Sequence, residues 1–232
     1  AMINPLLPYA IRGAIWYQGE SNASNAKDYL RLQCGMVADW RRAWGQGDFP
    51  FICVQLANYQ PPKAYDPDST WAVVRQAQLD STRLCPNVGM ASAVDIGDEL
   101  DIHPKNKRDV GRRLAQWALA KTYVRNLVPN GPHYSHYAVE SGTIRVFFTD
   151  VGKGLVTKGG KGAKGAVATC VVAGADRKFV PAQARIDGDT LVVSAPEVPR
   201  PRAVRYAWAD NPAGCNLYNA DGLPASPFRT DA

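Results

Sequence analysis

The chain has 232 residues, 46% hydrophobic and 21% charged, with a formal net charge of +6 and a pI near 9.1. This is the composition of a globular chain long enough for one large domain or two small ones. It excludes a membrane-spanning helix, because no uncharged apolar stretch approaches ~18 residues, and the dispersed basic residues lack the basic stripe with interleaved aromatics expected of nucleic-acid binding.

In chain order, residues 10–17 read as a buried strand ending in Trp16-Tyr17-Gln18-Gly19-Glu20-Ser21-Asn22. An apolar run that stops in an amide, a glycine, a carboxylate and a hydroxyl places polar groups at a strand tip, and glycine permits a sharp turn there. Residues 28–44 carry Leu30, Cys34, Val37, Ala38, Arg41 and Trp44 at helical spacing. Residues 50–56 form a second strand. Residues 69–84 form a helix with Ser69 or Thr70 as its cap. Residues 88–94 form a third strand and 107–123 a third helix. This alternation predicts parallel strands joined by right-handed crossovers. Ligands of such sheets bind beyond the carboxyl ends of the strands. Those ends carry Gln18 to Asn22, then Asn58 and Tyr59, then the segment from Asp95 to His103, so all three polar clusters face one edge.

After Pro129 the pattern changes to short alternating strands over 139–148, 166–172, 183–186, 190–194 and 203–208. Turn signals separate them: Gly159-Gly160, Asp187-Gly188, Asn211-Pro212 and Asp221-Gly222. An antiparallel sheet or sandwich is expected here. The expected division is therefore 1–128 and 129–232, with the junction at Pro129-Asn130-Gly131-Pro132. Lys153, Lys158, Lys161 and Lys164 sit among glycines and read as a solvated loop. The basic balance would also attract an acidic glycan.

Three histidines narrow the chemistry. His103 lies in Asp98-Glu99-Leu100-Asp101-Ile102-His103-Pro104, before the third helix, where a loop imidazole at a sheet mouth suits a general base. His133 and His136 are three apart, but no acidic or cysteine ligand lies nearby at metal spacing, so a surface or interdomain role is expected. No P-loop or dinucleotide-type glycine motif occurs, so no cofactor is expected. Cys34, Cys53 and Cys85 lie in apolar surroundings and read as buried free thiols, whereas Cys170 and Cys215 could pair in an oxidising compartment. His103 and the acids Glu20, Asp95, Asp98, Glu99 and Asp101 supply two members of a nucleophile–base–acid set. Ser21 is a poor nucleophile because it adjoins its own acid, and the imidazole must lie between them.

The segment Ile11-Arg12-Gly13-Ala14-Ile15-Trp16-Tyr17-Gln18-Gly19-Glu20-Ser21-Asn22 resembles the WYQGES block of the sialate O-acetylesterase family, a branch of the SGNH (GDSL-like) hydrolases related to acetylxylan esterases. Asp101-Ile102-His103-Pro104-Lys105-Asn106-Lys107 resembles its histidine block. The segments from Val204 to Pro212 and from Gly222 to Arg229 resemble the end of its β-rich region. The resemblance implies a three-layer α/β/α flavodoxin-like sheet, and deacetylation of O-acetylated carbohydrate through an acyl-enzyme. It implies His103 as general acid/base and Glu20 as orienting carboxylate, with Asp101 second and Asp98 third. Gln18, with Gly19 and Asn58, would bind substrate or the oxyanion.

The family's GQSN-type serine block has no counterpart in this sequence. The expectation is therefore a C-terminal part of a longer esterase, with the nucleophile on an upstream fragment that covers the edge of the first strand. Secretion or a periplasmic location follows from the same resemblance. A different class, a glycan-binding or interaction module, would use Tyr206, Trp208 and Tyr218 as sugar platforms.

Overall fold

A computed structural model of the chain describes residues 2–159 and 165–231, so the expectations placed on Gly160, Lys161 and Lys164 lie outside the described residues. Strands β1 (Ala14–Trp16), β2 (Phe51–Gln55) and β3 (Val88–Ser92) form a parallel sheet in the order β1-β2-β3. The register pairs Ile15 with Ile52 and Gln55 with Ser92. All five residues of β2 are buried, as expected of a parallel strand covered on both faces. Strand β1 is an edge, and its Ile15 is 69% exposed.

The strand expected over 10–17 is thus only three residues long. Upstream of Ala14 the chain leaves the sheet, and the Gln46 side chain takes over the Ile11 peptide groups. Gln46 accepts from the Ile11 N–H at 3.0 Å and donates to its carbonyl at 3.1 Å.

Three helices follow the strands: α1 (Tyr29–Trp44), α2 (Thr70–Leu84) and α3 (Lys107–Lys121). Ser69 caps α2 by accepting from Ala72 N–H at 2.9 Å. Asn106 caps α3 by accepting from Asp109 N–H at 3.1 Å. Between β1 and α1 lies a 3-10 segment, Glu20–Asp28, that the periodicity did not signal. Helix α1 packs Trp40 edge-on against Trp16 and Phe51, closing one face of the sheet.

The cysteine expectation is corrected. Cys34 and Cys85 form a disulfide that ties α1 to the end of α2, with Cα atoms 6.1 Å apart, while Cys53, Cys170 and Cys215 are free. The two are separated by 51 residues, so spacing along the chain hides their meeting across the helix layer. A loop of that length contributes about 4 kcal/mol through the unfolded state. Reduction should lower the calorimetric melting temperature by about 10 °C, and the Cys34→Ala, Cys85→Ala variant should melt at the reduced value whether or not reductant is present.

From residue 133 onward the chain is antiparallel. Strands β4 (His133–Glu140), β5 (Thr143–Thr149), β9 (Gln183–Asp187) and β10 (Thr190–Ser194) form one sheet in the order β4-β5-β10-β9. Strands β7 (Cys170–Ala173), β8 (Val180–Pro181), β11 (Ala203–Tyr206) and β13 (Phe228–Arg229) form a second, β13-β11-β7-β8. Strands β6 (Leu155–Thr157) and β12 (Leu217–Asn219) pair separately. Ile144, Val146, Leu191, Val193, Val172 and Val204 share one core between the sheets. The single strand expected over 139–148 is instead the hairpin β4–β5, turning at Gly142, whose φ is +73°. Alternation continued across the turn in the sequence, and the glycine conformation is what breaks it.

The two parts share a polar interface. Arg75 of α2 is fully buried and donates to the carbonyls of Leu56 (2.8 Å), Ala57 (2.8 Å), Ala209 (2.7 Å) and Asp210 (2.9 Å). Gln55 donates to Ser226 Oγ at 2.7 Å, and Tyr218 Oη donates to Asp95 at 2.8 Å.

Candidate active site

Each strand ends in a loop whose shape follows from local hydrogen bonding. After β1, Gly19 has φ +150°, and a Cβ there would lie 3.2 Å from side-chain atoms of Gln78, Leu56 and Val74. Only glycine suits that turn. Buried Gln78 holds the tip by donating to the carbonyls of Gln18 and Val54, each at 3.1 Å, and by accepting from Leu56 N–H at 3.0 Å. Tyr29 Oη also donates to the Gln18 carbonyl, at 2.8 Å. The tip of β1 is therefore bolted to β2 and α2 before any ligand arrives.

The loop after β3 is a series of side-chain turns. Asp98 Oδ1 accepts from Leu100 N–H, and Asp101 Oδ1 from His103 N–H, both at 2.9 Å. Asn58 Oδ1 accepts from Gly97 N–H at 2.7 Å, and a Cβ on Gly97 would lie 1.9 Å from the Asn58 carbonyl. Asn58 also donates to Asn211 Oδ1 at 3.0 Å, so the β-rich part braces this loop. Asp95 takes a bidentate contact from Arg113, at 2.6 and 2.8 Å, beside its bond from Tyr218. Both side chains are at least nine-tenths buried, which marks the pair as a strut.

Between these loops lies a cavity of about 470 Å³ lined by Tyr17, Glu20, Ser21, Ile102, His103, Pro104 and Lys107. The strand tip and the histidine loop thus meet, bringing Glu20 and His103 to one cavity. His103 Nδ1 lies 3.5 Å from Asp101 Oδ1, and the imidazole is 85% exposed. The His103 N–H bond, aided by that imidazole and by Lys105, lowers the pKa of Asp101 and keeps it ionised. Glu20 and Asp98 form no ion pair with the imidazole. Ser21 lines the cavity, yet its hydroxyl makes no hydrogen bond with His103.

Gln18 and Asn58 do not line this cavity. The Gln18 amide donates to Asn22 Oδ1 at 2.6 Å and its Oε1 accepts from Tyr29 at 3.2 Å, which leaves one amide N–H unspent. Tyr17 brings a hydroxyl that is buried without a partner. Burial, then the Glu20 carboxylate, pushes its pKa up to about 12, so it remains a neutral donor.

Lys107 is the residue that sequence reading passed over. Its ammonium sits 4.9 Å above the Tyr17 ring and forms no salt bridge among the described residues. It is the first residue of α3, where a positive charge opposes the helix dipole. Helix stability therefore does not account for a lysine there.

The aromatic platforms expected of a glycan-binding module are absent from the surface. Tyr206, Trp208 and Tyr218 are 1%, 2% and 6% exposed; Tyr206 packs within the β-rich core, Trp208 lies under Arg205 and Arg229, and Tyr218 bonds Asp95. Among the described residues no cluster of three histidine, cysteine, aspartate or glutamate side chains is placed to hold a metal, and no helix is long and apolar enough to cross a membrane.

The geometry has counterparts in known proteins. The family model "carbohydrate esterase, sialic acid-specific acetylesterase" matches residues 2–120. Sialate O-acetylesterase of Mus musculus is 36% identical over 148 residues, covering 57% of this chain and 27% of that protein. The Homo sapiens sialate O-acetylesterase is 33% identical over 148 residues, with 57% and 28% coverage. A crystal structure of a carbohydrate acetylesterase from Xanthomonas citri superposes with a TM-score of 0.91 at 43% identity, covering 100% of this chain and 53% of that one. The chain thus spans little more than a quarter of the curated relatives it matches.

Proposed function

Since the chain belongs to the sialic acid-specific acetylesterase family of carbohydrate esterases, we propose that it forms the base-and-acid half of a carbohydrate O-acetylesterase site. The observation that carries the reading is the meeting of His103 and Glu20 in one cavity at the carboxyl ends of a parallel sheet. The nucleophile is a serine on a segment of the same protein preceding this chain. That segment packs along β1, over the exposed Ile15, and covers the imidazole. The greater length of the relatives supports this arrangement.

The serine hydroxyl attacks the acetyl carbonyl while His103 takes its proton. The resemblance assigns the oxyanion to the free amide N–H of Gln18 and the backbone at Gly19, which lie between the wall residues Tyr17 and Glu20 in the chain but outside the cavity lining. Collapse of the tetrahedral adduct breaks the bond to the sugar oxygen, which leaves with the proton from His103. Water then attacks the acetyl-serine, with His103 again as base, releasing acetate and restoring the hydroxyl. The family resemblance put Glu20 first as the carboxylate partner. The 3.5 Å approach of Asp101 to Nδ1 reverses that order in our proposal. Asn58 acts indirectly, by bracing the loop that carries His103. The Cys34–Cys85 bond supports an oxidising compartment such as the periplasm or the exterior.

Lys107 supports the finer substrate assignment, acetyl esters on carboxylate-bearing sugars such as sialic acids. Its unpaired ammonium would meet the sugar carboxylate. The test is acetate release by the full-length protein from an O-acetylated sialic acid and from an acetylated xylo-oligosaccharide. Lys107→Met should raise KM for the sialic acid about tenfold, leaving the neutral substrate within about twofold. Failure to release acetate from either substrate would overturn the esterase reading. Equal effects of Lys107→Met on both would overturn only the charge reading.

A further inference from the structure

A second cavity, of about 520 Å³, opens at the opposite end of the parallel sheet, where β3 begins. The ends of α2 and α3 form one side, and the start of β4 and the end of β5 form the other. Its volume lies within the range of small-molecule sites.

The groups facing it are specific. His133 is 9% exposed and lines the cavity, yet its imidazole makes no hydrogen bond among the described residues. Its Nδ1 lies 3.6 Å from Asp150 Oδ2. Burial, reinforced by the nearby Arg83 charge and opposed by Asp150, pushes its pKa down to about 4. At neutral pH the ring therefore offers one donor and one acceptor and carries no charge. Asn130 Oδ1 is buried with no partner. Arg83 spends one N–H on the Tyr134 carbonyl and keeps the others. Lys121 forms no salt bridge among the described residues. Trp117 closes the inner wall against Gly89.

We infer that this cavity binds a carboxylate-bearing saccharide unit, with its carboxylate on Arg83 and Lys121 and its hydroxyls on His133 and Asn130. Two cations against the single Asp150 carboxylate disfavour a cationic ligand. A bare inorganic anion would leave the buried Asn130 acceptor unmatched, and a polar acceptor left so is costly. A sugar hydroxyl donates to that acceptor and also matches an uncharged imidazole. An apolar ligand would leave every one of these groups without a partner. The net charge of +6 agrees with an acidic glycan as the source.

The test does not depend on ester hydrolysis, so it stands apart from the proposed activity. The chain is titrated with methyl glucuronide, methyl glucoside and inorganic phosphate, following the indole N–H resonance of Trp117, assigned with Trp117→Phe. The glucuronide should shift that resonance with a Kd of about 1 mM, at least about tenfold tighter than the glucoside or phosphate. Arg83→Gln with Lys121→Gln should abolish the shift without changing the melting temperature, because both side chains are exposed. His133→Phe should weaken the glucuronide while retaining any residual response to phosphate. An unmoved Trp117 resonance overturns the proposal. So does a glucoside that binds as tightly as the glucuronide, or phosphate that matches it.

Discussion

In the full-length protein, His103→Ala should lower the rate of acetate release by about 10²- to 10⁴-fold, the usual worth of a general base. It should leave the melting temperature unchanged. The imidazole is 85% exposed and packs against nothing whose loss would cost stability, so the activity change reports chemistry alone. Asp101→Asn retains an oxygen to accept the His103 N–H but removes the charge beside Nδ1. We expect a smaller fall, about tenfold, and a milder one still for Glu20→Gln. A Glu20→Gln loss exceeding that of Asp101→Asn would return the orienting role to Glu20. Parental rates in His103→Ala, measured with p-nitrophenyl acetate and a sugar ester, would remove His103 from the reaction.

The second large effect is on stability. Arg75→Met should destabilise the protein by about 3–5 kcal/mol, since it strands the carbonyls of Leu56, Ala57, Ala209 and Asp210 without donors in a dry interface. Burial lowers the Arg75 pKa to about 10, which still leaves it protonated at neutral pH. The cost should appear as a melting temperature lower by about 10 °C or more. Arg75→Lys keeps a charge but cannot reach four carbonyls from one ammonium, so it should recover only part of the loss. An unchanged melting temperature for Arg75→Met would show that the two parts do not depend on this side chain. Arg75 and Asn211 hold the loop after β2, whose Asn58 in turn holds the loop after β3. Partial separation of the β-rich part should therefore disturb the site before the chain unfolds.

These two residues mark what a sequence does and does not reveal. The place of His103 on the cavity wall was legible because its loop follows the third strand at the carboxyl end of a parallel sheet, and because its block resembles a known one. The parallel strands were legible because β2 and β3 are continuous apolar runs and helical periodicity separates them. Arg75 was not legible. Helical periodicity gives Arg75 no partner, because the carbonyls of Ala209 and Asp210 that it binds lie more than 130 residues further along the chain. Tyr206, Trp208 and Tyr218, which by composition alone looked like sugar platforms, are likewise buried by contacts that only the fold creates. The Cys34–Cys85 pair escaped notice because its partners meet across two helices.

By itself, then, the sequence determined the alternation of strands and helices, the glycine turn at Gly19 and the place of His103 at the mouth of the sheet. Those depend on periodicity, backbone conformation and side-chain chemistry, which are local properties. Tertiary structure alone decided which carboxylate approaches His103, that Lys107 stands over Tyr17 on the wall of the cavity, and that polar residues of α2 lock the two parts together. Those depend on distances between residues far apart in the chain, set by how the sheet, the helices and the β-rich part pack.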